Sequence, residues 1–124
     1  MDNKNWIVTA AVLGALSVAM GAFGSHVMES ILSAKDFDIY KIAVRYQMWH
    51  TLAIFGVALM SKLYSIDVDR IQWLFLSGIV IFSGSLYLIV FTQVRWMGAI
   101  TPFGGFALIL GWGLLAYSIY KLKE

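Results

Sequence analysis

Long apolar stretches separated by short polar connections make up most of the chain. Residues 6–25 are uncharged and rich in alanine, glycine, valine and leucine, and a helix of about 20 apolar residues crosses the roughly 30 Å of hydrocarbon in a bilayer. Similar stretches cover residues 42–61, 71–91 and 97–120. The pattern predicts that residues 1–124 form one all-α membrane domain with four transmembrane helices.

The first stretch has a second interpretation, a cleaved signal peptide. Lys4 precedes it and small residues end it, which is the order found in secretory signals. Because three further spans follow, we interpret residues 6–25 as a transmembrane helix.

The polar connections indicate how the helices are joined. Residues 27–41 carry five charged side chains among apolar ones, which is typical of an amphipathic segment lying on the membrane interface. We expect Asp36 or Asp38 to cap the helix that follows. The short connections at 62–70 and 92–96 make consecutive helices antiparallel neighbours.

The basic residues indicate the orientation. An even number of crossings places both termini on one side of the membrane, and cytoplasmic loops carry an excess of lysine and arginine. The count favours cytoplasmic termini by one residue: Lys4, Lys62, Arg70, Lys121 and Lys123 on the side of the termini against Lys35, Lys41, Arg45 and Arg95 on the other.

Composition excludes several classes of protein. Hydrophobic residues make up 60% of the 124 residues and charged residues 13%, about half the charged share of a soluble domain. The absence of cysteine excludes disulfides and thiolate metal sites, and the scattered net charge of +2 gives no support for nucleic-acid binding. Every carboxylate falls at an end or in a connection, and no catalytic or phosphate-binding motif occurs. The sequence therefore predicts neither an enzyme nor a bound cofactor.

Small residues recur along one face of the first span at intervals of three and four. Such a stripe is a packing surface for another helix. The sequence leaves open whether that helix belongs to the same chain or to another copy. The stripe consists of Ala10, Gly14, Ser17, Gly21 and Ser25.

Two histidines lie toward the same side of the membrane. His26 ends the first span, while Tyr46, Gln47 and His50 share one face of the second. Three interpretations compete: mutual hydrogen bonds that fix the meeting of two helices, a ligand or proton site, and an axial pair for a metal or haem. We favour the hydrogen bonds, and no third ligand or cofactor motif supports the metal.

Arg45 is the one cation expected inside a span, where a charge is costly without a partner or a route to the interface. Trp49, four residues further on, offers a cation–π contact. We favour an interaction of Arg45 with lipid head groups over a role in binding a substrate.

Ser83, Ser85 and Tyr87 lie near the middle of the uncharged third span, around Gly84. Buried serines bond to the preceding turn or to another helix, so tight packing is the simpler interpretation. The alternative is a hydroxyl-lined site at the midplane, where small transporters bind substrates.

The start of the fourth span, residues 98–105, combines three glycines with the one proline. Pro102, next to Thr101, either begins the helix or breaks it at membrane depth. A break of that kind often marks an ion or substrate site. The sequence leaves both interpretations open.

Several of these motifs together resemble the DUF423 family, the YgdD/YwdK-like group of small inner-membrane proteins, which is similar also to the eukaryotic transmembrane protein 256. The resemblance covers nearly the whole chain, and it implies four transmembrane helices and a bacterial plasma-membrane location. It implies no established activity. The motifs are GAFGSH at 21–26, YQxxH at 46–50, FSGSLY at 82–87, ITPFGG at 100–105 and GW at 111–112.

We therefore expect a non-enzymatic membrane protein that binds a small polar solute, an ion or a lipid, and transport of that ligand is a further interpretation. Transport through four short helices would need a homo-oligomer. The alternative is a structural or assembly subunit of a membrane complex. The candidate ligand-binding residues are His26, Tyr46, Gln47, His50, Ser83, Ser85, Tyr87, Thr101 and Pro102, and Arg45 is the candidate for a lipid head group.

Overall fold

A computed structural model describes residues 1–122, and within that range every regular element is a helix. Lys123, which enters the count of basic residues, and Glu124 lie outside the described residues. The elements are α1 (Asn3–Val18), a π-helical segment (Ala19–Gly24), α2 (Ser25–Ile31), α3 (Ala34–Leu63), α4 (Asp69–Thr92), a 3-10 helix (Arg95–Ala99) and α5 (Thr101–Tyr120).

The first helix is longer than the sequence predicted. The segments α1, π and α2 follow one another without interruption, so the predicted span 6–25 is the middle of a rod that covers residues 3–31. Within the π-helical segment, the carbonyl oxygen of Met20 accepts a hydrogen bond from the Tyr40 hydroxyl at 2.5 Å. A Cβ atom on Gly24 would collide with that hydroxyl, so the wider turn depends on glycine at this position.

The connection between the first two rods is shorter than predicted. Leu32 adopts an extended backbone conformation, and the side chain of Ser33 accepts a hydrogen bond from the Asp36 amide at 3.1 Å. Ser33 is therefore the cap of α3, and the prediction that Asp36 or Asp38 caps it is wrong. Residues 27–31 extend the first rod and residues 34–41 begin α3, so a separate interfacial segment is not confirmed.

The rods are antiparallel neighbours, with α3 and α4 as the central pair. The rod containing α1 packs along α3, and α5 packs along α4. The small-residue stripe of the first rod faces α3 of the same chain, because a Cβ on Gly14 would lie 3.7 Å from Thr51 Cγ2 and one on Gly21 would lie 3.2 Å from Val44 Cγ1.

The contact between α4 and α5 depends on glycine. A Cβ on Gly104 would lie 2.8 Å from Phe82 Cα, and one on Gly111 would lie 2.7 Å from the Phe75 ring. Pro102 occupies the second position of α5, where its missing N–H costs nothing. Of the two interpretations of Pro102, the helix start is confirmed.

Within residues 1–122, three stretches are long and apolar enough to cross a membrane: Asn3–Ile31, Asp69–Thr92 and Arg95–Tyr120. The remaining rod, α3, has 30 residues and reaches the same length. It differs because five charged side chains fall within its first 12 positions: Lys35, Asp36, Asp38, Lys41 and Arg45.

Candidate functional site

The predicted site residues do not form one cluster. The structure distributes them over three contacts between helices and leaves His26 apart. His50 bonds to α5 while Tyr46 packs on α4 beside it, Gln47 and Tyr87 join α3 to α4 next to α1, and Ser85 and Thr101 join α4 to α5.

His50 is buried and both of its ring nitrogens are paired. Nε2 accepts a hydrogen bond from the indole N–H of Trp112 at 3.1 Å, and Nδ1 lies 2.8 Å from the carbonyl oxygen of Tyr46. An acceptor at Nε2 requires the neutral tautomer that carries its proton on Nδ1, and this tautomer donates to Tyr46. His50 therefore links α3 to α5 as a neutral imidazole.

A cavity of about 380 Å³ opens beside this pair, between α3, α4 and α5. Its walls are mainly apolar and aromatic, and the rings of Tyr46 and Phe82 pack at 4.5 Å between centroids. The Tyr46 hydroxyl makes no hydrogen bond to the described residues. The lining residues are Tyr46, His50, Phe82, Gly105, Leu108, Ile109 and Trp112.

Gln47 forms the second contact. Its carboxamide oxygen accepts from the Tyr87 hydroxyl at 2.8 Å, and its nitrogen donates to the carbonyl oxygen of Leu13 at 3.3 Å. Next to this contact, the Ser83 hydroxyl of α4 donates a hydrogen bond to the carbonyl oxygen of Ala43 in α3 at 2.7 Å. A cavity of about 320 Å³ lies over these residues on the side of the first rod, but their polar atoms are already bonded across α1, α3 and α4.

The third contact joins Ser85 and Thr101, whose hydroxyl oxygens lie 2.6 Å apart. Ser85 is also within hydrogen-bond distance of the Phe82 carbonyl oxygen, at 2.9 Å. These hydroxyls are therefore satisfied inside the protein, next to the exposed ring of Pro102.

His26 does not meet His50. Gly24 packs against Tyr40, so His26 lies level with the start of α3, and His50 lies ten residues beyond Tyr40, about 15 Å along the helix axis. His26 is exposed and has no hydrogen-bond partner among the described residues. The predicted mutual hydrogen bonds are therefore not formed: His50 bonds to Trp112 of α5, and Gln47 bonds to Tyr87 and to the Leu13 carbonyl oxygen instead. The described residues contain no group of three or more metal-binding side chains.

Arg45 is exposed on the outer face of α3 and forms no ion pair with a described residue. The alternative contact of Arg45 with Trp49 is not formed. In the described part of the chain, the cations that lie over aromatic rings are Lys41 and Lys121.

A charged contact that the sequence did not predict holds three elements together at the end opposite the termini. Asp36, in the first turn of α3, binds Arg95 through two hydrogen bonds of 2.7 and 3.0 Å. Gln93, which ends α4 in the left-handed conformation with φ 61°, donates to the same carboxylate at 3.0 Å. The Arg95 guanidinium, followed by the Gln93 amide, lowers the pKa of Asp36 below its ordinary value.

Sequence reasoning also missed Trp112 as a site residue, although its motif contributed to the family resemblance. An indole beside a glycine in an apolar span gives no sign of its partner 62 positions earlier. The spacing of Asp36 and Arg95 is equally uninformative.

Comparison with known proteins gives a consistent result. Residues 20–105 match the family model described as "Protein of unknown function (DUF423)". A UPF0382 membrane protein of Staphylococcus saprophyticus is 42% identical over 119 residues, covering 96% of this chain and 99% of the relative. The UPF0382 membrane protein YwdK of Bacillus subtilis is 40% identical over 120 residues, covering 95% and 98%. No solved structure matches the chain.

Proposed function

Since the chain belongs to the DUF423 family of membrane proteins, whose description records an unknown function, we propose that it binds a lipid-like amphiphile taken up from the bilayer. The observation that carries the proposal is the aromatic cavity between α3, α4 and α5. Ligand pockets are typically about 300–1,000 Å³, mostly apolar, and carry a few polar groups that orient the ligand.

The cavity has few polar groups, and they differ in whether they already form hydrogen bonds within the protein. His50 and Trp112 are bonded to each other at its edge, whereas the Tyr46 hydroxyl has no partner among the described residues. The hydroxyl is therefore the group that contacts the polar end of the ligand, while the rings of Phe82 and Trp112 contact its apolar part.

A polar solute or an ion fits less well. The side chains that would bind one are engaged elsewhere: Gln47 with Tyr87 and Leu13, and Ser85 with Thr101. Releasing them would leave buried polar groups unpaired, which costs free energy. Binding of an amphiphile leaves these bonds intact, so transport of a polar solute is the weaker hypothesis.

The test uses two glycines of α5. Gly105 lines the cavity, and a Cβ there would lie 3.6 Å from the Phe82 ring, an ordinary contact. We therefore expect the leucine of Gly105→Leu to extend from this contact into the cavity and occupy it. Gly113→Leu is the matched control, because a Cβ on Gly113 meets nothing within 4 Å.

Native mass spectrometry of protein purified in a mild detergent gives the readout. We expect the wild type and Gly113→Leu to retain the same adduct of lipid-like mass and Gly105→Leu to lose it. Equal retention by Gly105→Leu would overturn the proposed site. A wild type without any adduct, also after titration with bilayer lipid, would overturn the function.

We further propose a plasma-membrane location with four crossings and cytoplasmic termini. The supporting observations are the antiparallel order of the four rods and the length of α3, which matches that of its neighbours. Lys4, Lys62, Arg70 and Lys121 all lie near the end that carries the termini, as expected of a cytoplasmic face.

The second candidate function is a structural or assembly subunit. It is favoured by one observation: Gln47, Ser83, Ser85 and Thr101 use their polar atoms to join helices of this chain. A homo-oligomer is compatible with either function and stays a prediction. Purification of a bare monomer, or of a stable complex with a different protein, would favour this candidate.

A further inference from the structure

Arg45 lies far from the end of the neighbouring helix, unlike a cation at a membrane interface. Tyr46 packs on Phe82, and Ala43 accepts the hydrogen bond of Ser83, so Arg45 is level with the same part of α4. That helix ends at Thr92, nine to ten residues further on, or about 15 Å at 1.5 Å per residue. Arg45 is thus level with the middle of its neighbour.

The described part of the protein offers no anion at that depth. Among the described residues, Asp36 pairs with Arg95, Asp38 pairs with Lys41, and Asp69 pairs with the amino terminus. The other described carboxylates, Asp2, Glu29 and Asp67, lie at the ends of the rods. An exposed guanidinium at this level needs an anion from outside the chain, because an unpaired charge in a hydrocarbon region is costly.

The apolar surface next to Arg45 is grooved. Its neighbour Tyr46 lines the aromatic cavity, and Trp49, one turn further along α3, lines a second cavity of about 340 Å³. Trp112 lines both cavities, so the two lie next to each other between α3 and α5, and we refer to them together as the groove.

We propose that this groove binds an anionic phospholipid, with the phosphate at Arg45 and an acyl chain along the cavities on either side of Trp112. The proposal rests on the proposed function and names its ligand. Arginine is suited to the role because its planar guanidinium donates two parallel hydrogen bonds to a phosphate. The lipid phosphate then lies below the ordinary plane of the head groups, where the surrounding bilayer is locally thinned.

The experiment compares two charge-removing variants of exposed arginines. Arg45→Gln removes the proposed phosphate partner, whereas Arg70→Gln removes an exposed arginine from the first turn of α4, at the opposite end. Each protein is titrated in detergent with phosphatidylglycerol and, separately, with phosphatidylcholine of the same acyl chains, and adducts are counted by native mass spectrometry.

We expect the wild type and Arg70→Gln to bind phosphatidylglycerol about tenfold more tightly than phosphatidylcholine, a difference of about 1.4 kcal/mol, because both lipids carry a phosphate but only phosphatidylglycerol has a net negative charge. Arg45→Gln should lose this preference and bind the two lipids equally. Thermal unfolding of both variants should match that of the wild type, because both side chains are exposed.

The result separates this inference from the proposed function. Equal binding of the two lipids by the wild type, or an undiminished preference in Arg45→Gln, would overturn the assignment of Arg45 while the cavity keeps its role. Failure of Gly105→Leu to reduce the binding of either lipid would overturn the cavity itself. Binding of inorganic phosphate as tight as that of phosphatidylglycerol would overturn the lipid as its source.

Discussion

At the scale of single residues, the polar side chains of the spans are organised by hydrogen bonds between helices. Tyr46, Gln47 and His50 lie close together on α3, yet Gln47 reaches α1 and α4 whereas His50 reaches α5. One helical face therefore serves contacts on two sides. Such bonds contribute about 0.6 kcal/mol each in membrane proteins, and at most about 1.7 kcal/mol.

The contact between His50 and Trp112 gives a quantitative prediction. His50→Leu keeps the side-chain volume but removes both hydrogen bonds, and Trp112→Phe removes the indole donor. We expect each change to lower the free energy of unfolding and the pair to show a coupling of about 0.6–1.7 kcal/mol. Reversible unfolding in mixed micelles measures it. Trp96→Phe is the control, because Trp96 is exposed. If Trp96→Phe and His50→Leu showed an equally large coupling, the hydrogen bond between His50 and Trp112 would not be its cause.

Residue patterns in the sequence predicted the shared face of Tyr46, Gln47 and His50 but not their partners. The helical period fixes where side chains leave one helix, so this part needs no tertiary information. The partner of His50 lies 62 residues away on another helix. The helical period relates positions within one helix, so it does not predict this contact. The sequence places His26 and His50 toward the same side of the membrane. In the structure α2 packs beside the start of α3, so the two histidines lie far apart along the helix axis.

At the scale of elements, glycine decides how closely α5 approaches α4. A Cβ at Gly104 would lie within 2.8 Å of the Phe82 backbone, whereas one at Gly113 would meet nothing. We expect Gly104→Ala to destabilise the protein by about 1–3 kcal/mol through overpacking. Gly113→Ala should stabilise it by up to about 1 kcal/mol through helix propensity. Thermal unfolding in detergent measures both, and equal effects would show that the helices separate freely.

The ionic contact of Asp36 with Arg95 makes stability depend on pH. Arg95 and Gln93 lower the pKa of the Asp36 carboxyl in the folded state, so its contribution is fully present above the unfolded value of about 3.9. It is lost as the pH falls through the lower, folded value. We expect Asp36→Asn to unfold at a lower temperature than the wild type at pH 7, and this difference to shrink below about pH 4.

The control for this prediction is Asp38→Asn, because Asp38 is more exposed and pairs with Lys41 within the same helix. Such pairs contribute little to stability. Thermal unfolding measured from pH 3 to pH 7 should therefore give Asp38→Asn the wild-type profile. A difference between Asp36→Asn and the wild type that stays constant across this range would argue against the ionic contact.

The elements themselves were predicted unevenly, for physical reasons. The third span, 71–91, agrees closely with α4 (Asp69–Thr92), because an uncharged run bounded by polar residues fixes both ends. The first rod extends past residue 25, since Tyr40 stabilises a π-helical turn there. The sequence predicts that the second span begins at residue 42, because the charged residues before it are typical of an interfacial segment. In the structure α3 begins at Ala34, and Arg95 and Gln93 pair with Asp36 in its first turn.

At the scale of the whole molecule, the number of crossings depends on α3. Five of its first 12 residues are charged, and Arg45 lies level with the middle of α4. If an anionic lipid neutralises Arg45, α3 crosses the bilayer with its neighbours and the termini lie on one side. If α3 stayed outside the hydrocarbon, three crossings would place the termini on opposite sides.

Reporter fusions separate these two topologies. Alkaline phosphatase is active only outside the cytoplasm, and green fluorescent protein exported in unfolded form fluoresces only inside. We expect fusions after Ser65, between α3 and α4, to fluoresce, fusions after Val94 to have phosphatase activity, and fusions after Leu122 to fluoresce again. With the amino terminus inside, three crossings would invert all three results. The fusion after Ser65 is the decisive one, because α3 alone determines its side, and phosphatase activity there would overturn the four-span topology.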